Sequence, residues 1–220
     1  TLACQVCHIP AFARDTSTKV VWTWSDAGQD IDPIPKDPTT NPPNLPLYDK
    51  KKGTFVWANN VRPTLRYFDG KWNRAIIEAN DTYDPNVSPV VLGEPSATYQ
   101  TPGAMIYPFK KMVGNQVADT TNNRLLVPHL FGMKGGPNPY WAKFDWDLAL
   151  QDGAAYTNRP YSGDFGFVNT AMYLTVNHEV APKEQALGNG GDCADCHTNG
   201  QFDWTELGYS DDPVLGGTRP

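Results

Sequence analysis

Nothing in this sequence can cross a bilayer as a helix. Its longest apolar runs fall well short of the roughly 18–20 residues that a spanning helix needs. Clustered basic charge is absent too. The one Lys/Arg run is Lys50-Lys51-Lys52, and the formal net charge is −6, so no basic stripe exists to track nucleic acid. No secretory leader stands ahead of Cys4, so an exported protein would be read here in processed form. Apolar residues make only 40% of the 220, while 20 prolines and 19 glycines interrupt them. Long regular elements should be few, and a core built from side chains alone would be thin. A large flat apolar cofactor would supply the missing core material.

Cysteine and histidine are scarce, at four each, yet their placement is ordered. All the cysteines fall into two pairs, each followed at once by a histidine: Cys4-Gln-Val-Cys7-His8 and Cys193-Ala-Asp-Cys196-His197. This is the C-x-x-C-H pattern of c-type haem attachment. On a helical turn, residues i and i+3 share a face and i+4 lies beside them. Two thiols so placed can form thioethers along one porphyrin edge while the imidazole ligates the iron as its proximal ligand. A four-cysteine zinc site would not need a histidine after each pair, and neither would a redox dithiol or two local disulfides. The pattern calls for two covalently bound haem c groups, held by Cys4, Cys7, Cys193 and Cys196, with His8 and His197 on the irons.

The two remaining histidines, His129 and His178, are enough to give each iron a second imidazole. Bis-histidine ligation is low-spin and leaves no open coordination position, which favours electron transfer over substrate binding. The competing ligands are Met105, Met112, Met133 and Met172, with Met133 nearest in sequence to His129.

Between the motifs, Val20–Trp24 alternates like a strand. Residues 30–48 are dense in proline and predict a long irregular loop. Residues 54–58, 64–68 and 72–78 predict three short strands in an antiparallel meander, with Asn59-Asn60 and Asp69-Gly70 as turns. Residues 140–156 carry helical periodicity, and 168–180 predict a second helix ended by Pro182. The tail from 202 onward should be ordered through its contacts. The expected fold class is multihaem cytochrome c-like. It is loop-rich, with a few short helices and a small antiparallel β insert at about 50–103, within a single domain spanning 1–220.

Several stretches, in colinear order, resemble octahaem cytochromes of the tetrathionate reductase family. They are Cys4-Gln-Val-Cys7-His8-Ile9-Pro10, Trp24-Ser25-Asp26-Ala27-Gly28, Tyr107-Pro108-Phe109-Lys110 and Val127-Pro128-His129-Leu130-Phe131-Gly132. The last is Asn177-His178-Glu179-Val180-Ala181-Pro182-Lys183. The likeness is to the C-terminal haem-bearing portion of that family. It implies multihaem redox chemistry in the periplasm or at the cell surface, with His129 and His178 as distal ligands of relay haems. The family carries eight haems where this chain has two motifs. Its catalytic, lysine-ligated haem lies in a part without a counterpart here, so the relay role transfers and catalysis does not.

The function expected from these readings is a dihaem electron carrier outside the cytoplasm. Its partners are other redox proteins or further copies of itself, and copies stacked haem to haem would form a chain or filament. One alternative is a reductase or oxidase of a small sulfur or nitrogen compound at a haem with an open position, with Lys134, Lys183 and Glu184 as acid–base candidates; another is a relay subunit or fragment of such a multihaem enzyme. Two acidic clusters, Asp81 to Asp84 and Asp211-Asp212, are candidate calcium sites, though solvated charge accounts for them as well.

Overall fold

The computed structural model describes residues 1–75, 78, 80–132, 134–198 and 201–219. It opens with helix α1 (Cys4–His8) and strand β1 (Thr18–Thr23). Seven strands follow: β2 (Lys36–Asp37), β3 (Leu45–Pro46), β4 (Tyr48–Asp49), β5 (Gly53–Ala58), β6 (Thr64–Phe68), β7 (Trp72–Arg74) and β8 (Val90–Pro95). Then come the long β9 (Met105–Asp119) and β10 (Arg124–Leu125). Helices α2 (Tyr140–Lys143) and α3 (Trp146–Thr157) precede β11 (Phe165–Thr175). Short 3₁₀ turns at Lys183–Gln185, Asn189–Gly191, Cys193–Asp195 and Pro213–Leu215 carry the rest.

The loop-rich, short-helix character matches the expected class, and the β part is larger than a small insert. Nine strands join one mixed sheet whose main path runs β4-β5-β1-β9-β11-β8-β7. β9 is its spine: β1 lies parallel to it, and β6, β10 and β11 pair with it antiparallel. The predicted meander does not form. β5 pairs with β1 and β4, β6 with β9, and β7 with β8. The reason lies between β5 and β6. Asn60 takes a positive φ of 49°, and Val61 bridges to Phe12, which pulls the chain across to the N-terminal segment. The expected 72–78 strand runs over Trp72–Arg74, and part of its remainder lies outside the described residues.

Two other expectations are corrected. Residues 168–180 hold no helix; the segment from Phe165 to Thr175 pairs in unbroken register with β9 from Asp119 to Phe109. Its aromatic and β-branched content suits a pleated, half-buried surface. The 140–156 helix is two helices. Phe144 ends α2 at φ 52°, and the Asp145 side chain caps α3 by accepting the Leu148 N–H at 3.1 Å.

β9 divides the core into two ends. At its start, Val6, Leu65, Tyr67, Ile106, Phe202 and Leu207 pack together, so the two chain ends share one cluster. At its finish, Val117, Leu126 and Leu150 pack with Trp146, Tyr161 and Phe167. Along the strand, Ile106 and Val117 are about 36 Å apart at about 3.3 Å per residue.

Candidate functional site

The first motif sits on α1, a single turn fixed from below. The Ala3 N–H donates to the Ile106 carbonyl at 2.9 Å, and Val6 and Ile9 are buried. The face between them is left outward, with Cys4 and His8 exposed and Cys7 half-buried. The second motif forms a comparable turn. Asp192 caps it by accepting the Ala194 N–H at 2.9 Å, and the His197 N–H reaches the Cys193 carbonyl at 3.0 Å. Cys193 is exposed and Cys196 half-buried. Both turns therefore present two thiols and an imidazole at the spacing haem attachment needs.

The two motifs come from opposite ends of the sequence and meet in space. The Leu187 N–H donates to the Cys7 carbonyl at 3.0 Å, and the Ala181 N–H to the His8 carbonyl at 2.8 Å. Cys196 packs on the cluster that contains Val6. Burial, then the neighbouring Cys7 thiol, then Asp195 and Cys193 push the Cys196 thiol up from its ordinary value. Burial and Cys4 do the same for Cys7.

His197 is held on two sides. Its ring stacks on Trp204, with centroids 5.1 Å apart and planes 10° apart. Its Nδ1 lies 2.7 Å from Asp212 Oδ1. Burial works to raise the Asp212 carboxyl. The hydrogen bonds from the Val214 N–H, the His197 ring and the Thr198 N–H outweigh it and hold the group below the usual carboxylate range. A carboxylate on one ring nitrogen fixes the imidazole's orientation and leaves the other nitrogen for a metal.

His178 is near the first motif, with its side chain 70% exposed. The following residue fixes its place. The Glu179 carboxylate accepts the Ala13 and Arg14 N–H groups at 3.1 and 2.9 Å, and Ala181 is bonded to His8.

His129 is elsewhere. Its N–H donates to the Ala149 carbonyl and its own carbonyl accepts the Tyr140 N–H, which places it against α3 at the far end of β9. Gly153 makes that approach possible, since a Cβ there would collide with the Val127 carbonyl oxygen. The His129 side chain is only 8% exposed, and its Nδ1 lies 3.2 Å from Asp152 Oδ2. Burial works to raise Asp152, and hydrogen bonds from the Asn138 N–H, the His129 ring and the Asn138 side chain outweigh it. His129 Nε2 is buried with no hydrogen-bond partner among the described residues. An orphaned buried polar atom costs about 1–3 kcal/mol, so a donor or a metal at this nitrogen would relieve the fold. The ring lines a cavity of about 260 Å³ that also touches Phe131, Lys134 and Tyr156.

The structure thus gathers Cys4, Cys7, His8, Cys193, Cys196, His197 and His178 at one end and leaves His129 at the other. Of the methionines, Met105 starts β9 beside the first motif. Met112 and Met172 face each other across β9 and β11, and Met133 lies outside the described residues. Lys183 and Glu184 are exposed near the first motif, while Lys134 is exposed beside the His129 cavity, so these three do not form one acid–base site. Among the described residues, no group of three or more His, Cys, Asp or Glu gathers as a cation cage, and Asp212 is occupied by His197. Sequence reasoning missed Asp152, Asp212 and Trp204. They lie 23, 15 and 7 residues from their histidines, and no local spacing marks such partners.

Paired thiols with an adjoining imidazole, on turns raised from a thin, aromatic-rich core, define a haem-bearing electron-transfer protein. The family model for bacterial cytochrome c matches residues 19–200, and the chain belongs to that family, which carries covalently bound haem c. The matched region contains Cys193–His197 and begins after His8. The crystal structure of an octahaem cytochrome c from Shewanella oneidensis is similar at 40% identity and a TM-score of 0.83. The match covers 98% of this chain and 47% of that one. The chain therefore spans about half the length of that relative, and the resemblance to octahaem cytochromes holds along nearly all of it. No curated protein matches. Among the described residues, no helix is long and apolar enough to cross a membrane.

Proposed function

We propose that this chain is a dihaem relay that carries electrons outside the cytoplasm, in the periplasm or at the cell surface. Cys4 and Cys7 hold one haem, and Cys193 and Cys196 the other. His8 and His197 are the proximal ligands, His178 and His129 supply distal imidazoles, and both irons are low-spin. The observation that carries this reading is the meeting of the two motifs, with the Cys7 and His8 carbonyls bonded into the segment leading to Cys193. Haems attached to abutting turns lie close enough to exchange electrons directly, so a relay needs no substrate pocket. Ends that are distant in sequence are neighbours here, and longer transport requires a haem from outside the chain. That supports partners in the form of other redox proteins or further copies, assembled subunit to subunit.

The test is an intact mass together with electron paramagnetic resonance of the haem-loaded protein. Two haem adducts with only low-spin ferric signals are expected. A mass lacking either adduct overturns the dihaem assignment. A second reading, a relay portion of a multihaem reductase of small sulfur or nitrogen compounds, is favoured by the 47% span of the octahaem relative. It predicts a stable complex with a catalytic haem polypeptide in native preparations, where the first reading predicts only redox partners and further copies of this chain.

A further inference from the structure

We propose that Lys110 and Thr18 form an oxyanion seat near the first attachment turn, and that a propionate carboxylate of the haem whose iron takes His178 fills it. This rests on the reading of His178 as an iron ligand. It goes beyond that reading by assigning residues that hold the porphyrin's carboxylate edge rather than its iron.

The seat lies in a cavity of about 260 Å³. Phe12, Ala13 and Val176 line it, and they pack in one buried cluster with Ile9, the residue after His8. His178 is also on the lining. Three residues further on, the Ala181 N–H donates to the His8 carbonyl at 2.8 Å. The cavity is therefore bordered by the core of the attachment turn and by the distal imidazole itself.

Lys110 enters from β9, and its Nζ donates to Thr18 Oγ1 on β1 at 2.6 Å. A hydroxyl does not neutralise an ammonium. Burial pushes the Lys110 ammonium down from its ordinary value, and among the described residues no carboxylate opposes that. Arg66 on β6, also half-buried, shows the usual arrangement, with Glu206 at 3.0 Å and Glu94 at 3.3 Å. A partly buried cation without a counter-charge is costly, and a lysine ammonium is a point charge suited to an oxyanion.

The rest of the lining fits a ligand that only accepts hydrogen bonds. Thr18 Oγ1 spends a lone pair on Lys110 and keeps its O–H to donate. Thr16 and Thr175 add hydroxyl-bearing side chains. Glu179 is the one carboxylate on the lining among the described residues. Its oxygens accept the Ala13 and Arg14 N–H groups at 3.1 and 2.9 Å, so it does not compete for Lys110. Phe12, Leu174 and Val176 offer apolar surface to the methylene arm of a propionate, which a free inorganic anion has no use for. A carboxylate carried by a neighbouring bound haem also arrives at high effective concentration.

The test uses haem-loaded protein with Lys110→Met, Lys110→Arg and Thr18→Val. Resonance Raman reports the propionate bending band directly. Lys110→Met should shift that band and lower one haem's midpoint potential, because losing a nearby cation favours the ferric state. Lys110→Arg should restore both. Thr18→Val keeps the charge and should move the band in the same direction by less. Haem mass, spin state and circular dichroism should match wild type in all three; if Lys110→Met fails to fold, the band in Thr18→Val decides. Three results overturn the inference. One is an unchanged band in Lys110→Met, or in Thr18→Val where that variant decides. Another is a saturable effect of sulfate or acetate on the wild type that Lys110→Met abolishes, which would show a seat filled from solution. The third is a newly high-spin iron in Lys110→Met, which would make the lysine an iron ligand. The reading of His178 fails separately, if His178→Ala leaves both irons low-spin.

Discussion

The two ends of β9 handle a histidine in opposite settings. At the Ile106 end, His8 and His178 are exposed, and the attachment turns rest on a core cluster that only forms when the first and last parts of the sequence come together. At the Val117 end, His129 is buried against α3 and tethered by a carboxylate, with aromatic stacks nearby, Tyr140 on Trp146 at 4.0 Å and Phe131 on Trp141 at 5.3 Å. His197 combines the two, an attachment histidine with its own carboxylate tether. A covalently bound haem orders its own turn. His129 lies outside both attachment turns, and its order comes from the protein's own packing, the Asp152 tether and the backbone bond to Ala149.

The largest test of the contrast removes one attachment site. Cys193→Ala with Cys196→Ala should halve the haem absorbance per chain. It should also lower the melting temperature, because Cys196 packs against the Val6 cluster that joins both chain ends. The structure at the far end should survive: near-ultraviolet circular dichroism from the Trp146–Tyr140 stack should be retained. Loss of that signal along with the haem would mean that the two ends fold as one unit.

Next comes Gly153→Ala. In an ordinary helix this change stabilises by up to about 1 kcal/mol. Here the added Cβ meets the Val127 carbonyl oxygen and lies 3.2 Å from the His129 backbone nitrogen, so the sign reverses. A destabilisation of about 1–3 kcal/mol, typical of overpacking, is expected in a denaturant titration, with both haems retained by mass. A neutral or stabilising result would show that the His129 segment can move away from α3 without penalty, and the idea of a pre-ordered imidazole would fail.

How much of this was readable beforehand follows from the range of each interaction. The attachment turns were legible because i, i+3 and i+4 lie within one turn. β1, β5 and β6 were legible as alternation, and the break between α2 and α3 had a signal in Asp145, an N-cap residue type. β11 was misread because Phe167, Val168, Ala171, Met172 and Leu174 fit a helical face as well as a strand. What decides between them is the eleven-residue pairing with β9, which no local pattern displays. The Asp152 and Asp212 tethers were illegible for the same reason, and Asp212 drew attention as a cation ligand when its partner is a histidine. The meeting of Cys7 and Cys196 is a tertiary fact.

A third effect, of similar size but dependent on pH, lies in Asp119, fully buried where β9 ends. Burial works to raise its carboxyl. Hydrogen bonds from the Asn122 side chain and N–H and from the Ser162 N–H and hydroxyl prevail and hold it below the ordinary range. A carboxyl lowered in the folded state adds stability that is complete above its unfolded value of about 3.9 and is lost as pH falls through the folded value. Asp119→Ala should therefore cost about 1–3 kcal/mol at neutral pH and flatten the acid limb of the stability curve. An unchanged acid limb would remove this carboxylate from the far end's stabilising set.

The smallest effect belongs to the attachment end and completes the contrast with Gly153. Gly190 has a φ of +80°, and nothing stands within 4 Å of where its Cβ would be. Gly190→Ala therefore meets no collision, only the left-handed penalty of roughly 1–2 kcal/mol. The reduced entropy of the unfolded chain offsets this by about 0.4–1 kcal/mol. The net loss should be about 0–1.6 kcal/mol, with haem content and spin state unchanged. The same substitution at Gly153 presses directly on the Val127–His129 backbone. If Gly190→Ala instead strips the second haem, then the run from Gly188 to Gly191 is the fixed frame that presents Cys193, and the attachment end is as pre-ordered by the protein as the His129 end.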